Sequence, residues 1–215
     1  MKKMQQFFMV LLMPLFALSI SACAEKYTEG EQYTKVNETI SKKAEVREYF
    51  SFYCPHCMRF EPFMEEVKKN LPEGVKFERN HVDFLRAASP KIQAMLTKSV
   101  VVAEQLGMDN KLIGAVFNYI QVQRAVITSE RDIRNIFVLN GADGEKFDKL
   151  MKSFSVNSKA KLMKKNQDIM AKKGALTGVP TMIVNGKYRI NTNALDRNNF
   201  EQDYQNVIKY LLTLK

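Results

Sequence analysis

Apolar and aromatic residues crowd the run Val46-Arg47-Glu48-Tyr49-Phe50-Ser51-Phe52-Tyr53, which reads as a buried strand. The spacing then changes. Cys57, Phe60, Met64, Val67 and Leu71 recur at steps of three and four, the pattern of one helix face. Pro62 falls inside that helix and is expected to kink it. Leu71-Pro72-Glu73-Gly74 marks a turn, after which residues 75–84 alternate as a strand with Val75, Phe77 and Val82 inward. Ser89-Pro90 opens a helix that runs to about Leu106 and stops at Gly107. Further helical patterns cover Lys111–Val122, Glu130–Asn140, Gly144–Ser153 and Ser158–Lys173. Two short apolar runs, Met182–Val184 and Tyr188–Ile190, flank Asn185-Gly186, a hairpin turn. A last helix starts near Asn198, with Phe200, Tyr204, Val207, Ile208, Leu211 and Leu212 on its apolar face.

Ahead of these elements, Lys2 and Lys3 precede an apolar stretch from Phe7 to Ile20 and a small-residue end at Ser21-Ala22-Cys23-Ala24. Residues 1–24 therefore read as a secretory signal peptide rather than a membrane span. Two ends compete. Ala22-x-Ala24 suits cleavage before Glu25, whereas Ile20-Ser21-Ala22-Cys23 suits a lipoprotein signal that would leave Cys23 lipidated as an anchor. The first is preferred, because the folded part is expected to begin within a few residues of Glu25 and leaves little tether. Either end implies an oxidising compartment, the periplasm or its equivalent.

Removing the signal leaves roughly 190 residues, enough for one core or a core with an insertion. The chain carries 33 basic and 23 acidic residues, a net +10, and loss of Lys2 and Lys3 takes this to +8. Much of the surplus lies in Lys159, Lys161, Lys164, Lys165, Lys172 and Lys173 on one expected helix, 159–173. A solvated helix face is the preferred reading; attraction of acidic clients or an anionic membrane surface is the alternative. An exported chain without a binding motif is not expected to bind nucleic acid.

The chemistry centres on Cys54-Pro55-His56-Cys57, placed where the strand runs into the helix. Cys54 is expected at the helix start with Pro55 in the first turn, where a missing N–H costs nothing. Free N–H groups and the positive end of the helix dipole there favour a thiolate. A zinc site would need two further ligands. The chain offers only the lone His81 and Cys23, which lies in the signal segment. A purely structural disulfide would close only a tiny loop. Redox chemistry by the cysteine pair, without metal or other cofactor, is the expected reading.

Strand, CxxC, helix, strand, helical block, Val-Pro and hairpin together resemble the DsbA family of thioredoxin-fold disulfide oxidases over nearly the whole exported chain. The matching stretches are Glu48 to Cys57, Leu71 to Lys76, His81-Val82, Asp132-Ile133-Arg134, Gly178-Val179-Pro180 and Val184 to Tyr188. The resemblance implies an α/β thioredoxin fold, a mixed sheet flanked by helices, formed by residues 25–84 and 158–215. It also implies an all-helical insertion domain over 85–157 that caps the active-site side.

The expected activity is that of a thiol:disulfide oxidoreductase donating its Cys54–Cys57 disulfide to newly exported, cysteine-containing proteins. Cys54 is the attacked sulfur and Cys57, one turn inside, the resolving partner. A low thiol pKa makes Cys54 a good leaving group and the oxidised form a strong oxidant, as the resemblance implies. His56 is expected to add hydrogen bonding or charge beside Cys54, unless it is only an exposed turn residue. Pro55 shapes the backbone. Glu61, four residues after Cys57, either relays the Cys57 proton, modulated by Glu48 and Arg79, or forms an ordinary salt bridge.

The resemblance also implies a cis Val179-Pro180 bond that exposes Val179 for strand-like pairing with a client, with Thr181 adjoining; a plain proline ahead of an edge strand is the alternative. A membrane reoxidant of the DsbB type is implied, and the chain is expected to be a monomer; a disulfide isomerase is not expected, since that class adds a dimerisation domain. Two alternatives stay open: a dedicated DsbL-like oxidase with few clients, and a non-catalytic binding or holdase module.

Overall fold

The computed structural model describes residues 26–36 and 41–214. The expected signal peptide, both of its alternative ends and Cys23 lie outside the described residues. Five strands form one mixed sheet in the order β1-β5-β4-β2-β3. They are β1 Tyr33–Lys35, β2 Glu45–Phe50, β3 Lys76–His81, β4 Thr181–Val184 and β5 Tyr188–Ile190. β2 runs parallel to β3 and antiparallel to β4, and the β4–β5 and β5–β1 pairs are antiparallel. Seven α-helices complete the described chain: α1 Pro55–Lys69, α2 Pro90–Gln105, α3 Asp109–Phe117, α4 Glu130–Leu139, α5 Gly144–Lys152, α6 Phe154–Lys172 and α7 Phe200–Thr213. This is the expected α/β thioredoxin-like arrangement.

The pleat of β2 sorts its residues between two layers. Val46 packs with Phe63, Met64 and Val67 of α1 and with Tyr204, Val207, Ile208 and Leu211 of α7. Tyr49 points the other way, onto Ile183 and Met170 of α6. A second core fills the space among α2 to α6, and Phe50, Phe52, Cys54 and Cys57 belong to it. The cysteine motif therefore sits where the sheet end meets the helical block, a position that no local pattern specifies.

Several elements depart from the sequence expectations. β1 carries only three residues, too few for a periodic signal. α1 continues as helix past Pro62, which is exposed. The pattern expected over Lys111–Val122 divides into α3 and a π-helical turn at Asn118–Val122. α6 begins at Phe154, because Ser153 accepts from the Val156 N–H and caps it there. The expected insertion boundary at 157/158 thus falls inside its first turn.

On β3, Val75 and Phe77 are only half-buried, while Arg79, Asn80 and His81 are buried with Val82. The polar residues go inside because partners await them: Asn80 donates to the Met163 carbonyl oxygen, and His81 pairs with Thr97 Oγ1 at 2.9 Å. His81 also packs against the rings of Phe50 and Phe52, and this burial pushes its pKa down to about 3. It is a neutral packing group. On α6, Lys159 bonds Glu104 at 2.8 Å and Lys164 bonds Asp168 at 2.6 Å, while Lys161, Lys165, Lys172 and Lys173 are exposed.

Candidate redox site

Cys54 closes the loop after β2 in extended geometry (φ −99°, ψ 110°) and caps α1, with Pro55 in the helix's first turn. Its Sγ accepts the Cys57 N–H at 3.2 Å, while its own carbonyl takes the Met58 N–H at 3.2 Å. Both thiols are free and buried, Cys54 at 5% exposure and Cys57 at 0%. Across the gap from the sheet, the thiol of Cys54 donates to the Val179 carbonyl oxygen at 3.3 Å. The Val179-Pro180 bond is cis. Thr181 opens β4 and its hydroxyl donates to the Gly178 carbonyl oxygen at 2.8 Å, which ties off the loop. Cys54, Cys57 and Val179 thus converge, whereas Thr181 points back into its own loop.

The two thiols are electrostatically unequal. A hydrogen bond from the Cys57 thiol, reinforced by the N–H groups of Cys57 and His56 and the charge of Arg59, outweighs burial and brings Cys54 down to about 6. Burial, followed by the Cys54 bond and the nearby Glu48, pushes Cys57 far up. The sign for stability follows. The reduced chain gains stability from Cys54 that is complete above an ordinary thiol pKa and is lost as pH falls through about 6. Alkylation of the reduced protein should therefore rise through a midpoint near pH 6 at Cys54, with Cys57 silent, as mass spectrometry of each peptide would reveal. Equal labelling of both cysteines near pH 9 would refute this.

His56 and Pro55 are exposed on the first turn. Arg59 Nη2 lies 2.9 Å from His56 Nδ1, and since a guanidinium only donates, that ring nitrogen accepts. The formal positive charge beside Cys54 in this arrangement is therefore Arg59. Its three-residue spacing from His56 is the one local signal for this contact, and it does not distinguish Arg59 from any other charge on the helix. Arg59→Ala should raise the Cys54 midpoint by up to about one pH unit, because an exposed charge is screened. Thiolate absorbance against pH measures the shift, and an unmoved midpoint would mean that the Cys57 thiol and the helix N–H groups act without help from Arg59.

Beneath the cysteines lies a buried ionic cluster. The parallel register sets Glu48 beside Arg79, and both are nearly inaccessible, at 1% and 2%. Glu61 and Glu65 reach down from α1, so three carboxylates surround one guanidinium. Burial and the neighbouring Glu61, Glu65 and Cys54, against the pull of Arg79, push Glu48 up to about 8. Burial works against the charge of Arg79, but the three carboxylates outweigh it and hold its pKa up. The structure brings the three expected residues Glu48, Glu61 and Arg79 together and adds Glu65. The i,i+4 step from Cys57 to Glu61 marks Glu61 as inward; that Glu65, four residues further on, also reaches Arg79 is not legible in the spacing.

Among the described residues, no group of three or more His, Cys, Asp or Glu side chains is placed to hold a metal ion. No described helix is long and apolar enough to cross a membrane.

Residues 45–205 match the DSBA-like thioredoxin domain family. The thiol:disulfide interchange protein DsbA of Pectobacterium carotovorum subsp. carotovorum is 38% identical over 204 residues, covering 92% of this chain and 94% of that protein. The crystal structure of the disulfide oxidoreductase DsbA from Proteus mirabilis superposes with a TM-score of 0.77 at 32% identity, over 88% of this chain and 99% of that one. A cysteine-to-serine variant of the same P. mirabilis protein, solved with the non-covalently bound peptide PWATCDS, gives a TM-score of 0.76 at 32% identity, over 87% and 99% of the two chains. With this coverage, and with a cysteine pair at a helix start facing a cis-proline loop, the chain belongs to the DSBA-like thioredoxin domain family.

Proposed function

We propose that this protein is a thiol:disulfide oxidoreductase that oxidises the dithiols of newly exported proteins in the periplasm. The observation that carries the reading is the inequality of the two thiols at one helix start. A client thiolate attacks Cys54 of the Cys54–Cys57 disulfide, forming a mixed disulfide and expelling Cys57. Cys57 is a poor leaving group unless its sulfur takes a proton, and Glu48, the carboxyl that acts on it from the cluster below, is the group suited to supply one. The second client thiolate attacks the client sulfur, closing the client disulfide and releasing Cys54 as a stabilised thiolate. Two electrons pass to the enzyme.

Val179 offers its backbone to an extended client beside Cys54, as a strand would. The peptide held by the P. mirabilis relative contains a cysteine and supports this use of the site. A cleft of about 420 Å³ opens next to the motif, lined by Tyr53, Ile92, Ile120 and Val126 together with Gln121 and Arg124, and offers both apolar and polar contacts to a client. Residues 25–84 and 158–215 form the redox domain in this reading, with 85–157 as the helical insertion. Reoxidation by a membrane partner of the DsbB type completes the cycle, and a signal peptide over residues 1–24 accounts for export.

The chain has no Trp, so thiol trapping with mass spectrometry replaces indole fluorescence as the readout. Equilibrated with glutathione buffers, the Cys54–Cys57 pair should become reduced even in weakly reducing mixtures. A pair that stays oxidised until conditions are strongly reducing would overturn the oxidase reading.

A further inference from the structure

Arg79 presents two terminal nitrogens to three carboxylates, and the contacts are uneven. Nη1 lies 2.8 Å from Glu61 Oε2, and Nη2 lies 2.7 Å from both Glu61 Oε1 and Glu65 Oε1. Glu48 is left at 3.5 Å from Nη1, and neither of its oxygens has a hydrogen-bond partner among the described residues. The rings of Phe50 and Phe77 lie 5.8 and 5.7 Å from the guanidinium carbon and limit its movement. The direct hydrogen-bond contacts of the one positive charge thus go to the two carboxylates nearer the surface, 12% and 16% exposed, while the fully buried Glu48 feels it across 3.5 Å without a hydrogen bond.

We infer that Glu65 is a positioning residue: by sharing Arg79 with Glu61, it withholds the guanidinium from Glu48 and so keeps Glu48 in the protonated form that serves Cys57. The inference rests on the oxidoreductase reading above. If Glu65 lost its charge, Nη2 would lose an anion and Glu48 would both gain in its share of Arg79 and escape one repulsion. Both changes favour ionised Glu48.

Glu48 is faced by groups from several elements. Cys54 and Cys57 stand above it on α1, Glu61 and Arg79 stay in place, and Tyr204 of α7 is buried and neutral, raised by burial and by Glu48 itself. Glu65 itself is pushed up by burial, against the attraction of Arg79 and Lys68. Lys68 is held at 2.5 Å by Asp109 of α3, which anchors this end of the cluster to the helical block.

The test is Glu65→Gln, which still accepts a hydrogen bond from Arg79 and so leaves no buried donor exposed. Glu48 protonation is read from the protonated-carboxyl infrared band of the reduced protein against pH, identified by its loss in Glu48→Gln. The Glu48 midpoint is expected to fall by about one unit, a ~10-fold change in its protonation constant. The pH profile for displacement of glutathione from Cys54 by Cys57 should move to lower pH with it. Glu65→Asp, which keeps the charge, should restore the wild-type midpoint at least in part. An unchanged Glu48 midpoint in Glu65→Gln, whatever happens to thermal stability, overturns the inference and leaves the oxidoreductase reading intact. Absence of any Cys57-dependent displacement in the wild-type protein would instead overturn that reading and this inference with it.

Discussion

Cys54→Ser is expected to reduce dithiol oxidation to the uncatalysed rate, because a hydroxyl cannot form the disulfide that receives the client's electrons. No neighbour can substitute: Cys57 is fully buried and its pKa is forced up, so at neutral pH it is neither accessible nor ionised. Cys57→Ser should behave differently. It keeps the reactive Cys54 thiolate but removes the resolving sulfur, so a client disulfide that exchanges with Cys54 stays attached as a mixed disulfide. Non-reducing gels of the two variants, incubated with a reduced or a disulfide-bearing model client, separate the outcomes. Residual oxidation by Cys54→Ser, or failure of Cys57→Ser to trap a mixed disulfide, would reverse the assignment of the two sulfurs. A holdase whose cysteines were incidental would retain its activity in both variants.

Arg79→Met should cost about 3–5 kcal/mol of stability at neutral pH, since it removes the one cation among three carboxylates and leaves buried charge uncompensated. The pH dependence has a definite sign. Without Arg79, burial leaves the Glu48 and Glu65 carboxyls binding protons more tightly in the folded chain than in the unfolded one. The penalty is therefore small below the ordinary carboxylate range and grows as pH rises. The wild-type protein already shows this sign through Glu48, held at about 8 against an ordinary 4.5. The stability associated with its proton is complete below 4.5 and is lost as pH rises through about 8. Glu48→Gln should flatten that slope. Urea unfolding of the three proteins at several pH values reads both effects. Equal destabilisation of Arg79→Met at acid and neutral pH would mean that Arg79 acts through packing on Phe50 and Phe77 rather than through charge.

Much of the site could be read locally because its chemistry is local. Cys54 and Cys57 are three residues apart, and the strand-to-helix change around them places the first at a helix start without any tertiary knowledge. The i,i+4 step from Cys57 to Glu61 marked a carboxylate on an apolar face. Arg59 and Glu65 obey the same helical arithmetic, yet their spacing alone did not separate them from the other charges of a solvated helix. What distinguishes Glu65 is its approach to a guanidinium on β3, 14 residues along the chain and on a different element. On β3 the alternation that turns Phe77 inward puts Arg79 and His81 on the same face, but the partners that make these polar groups acceptable inside come from α1 and α2 and are not written on the strand itself.

The sequence by itself determined the chemistry, the order of the elements and, through the resemblance, the fold. Periodicity, caps and turn residues act over a few positions, and they were sufficient to place the strand, the motif and the helix that lowers the Cys54 pKa. Only the tertiary structure decided how the second thiol is controlled. Val179 meets Cys54 from 125 residues away, and Glu48 receives its environment from β3, α1 and α7 together. Such contacts depend on sheet register and on layers closing over one another, and buried charges are governed by whichever neighbours arrive, an outcome that no short stretch of the chain encodes.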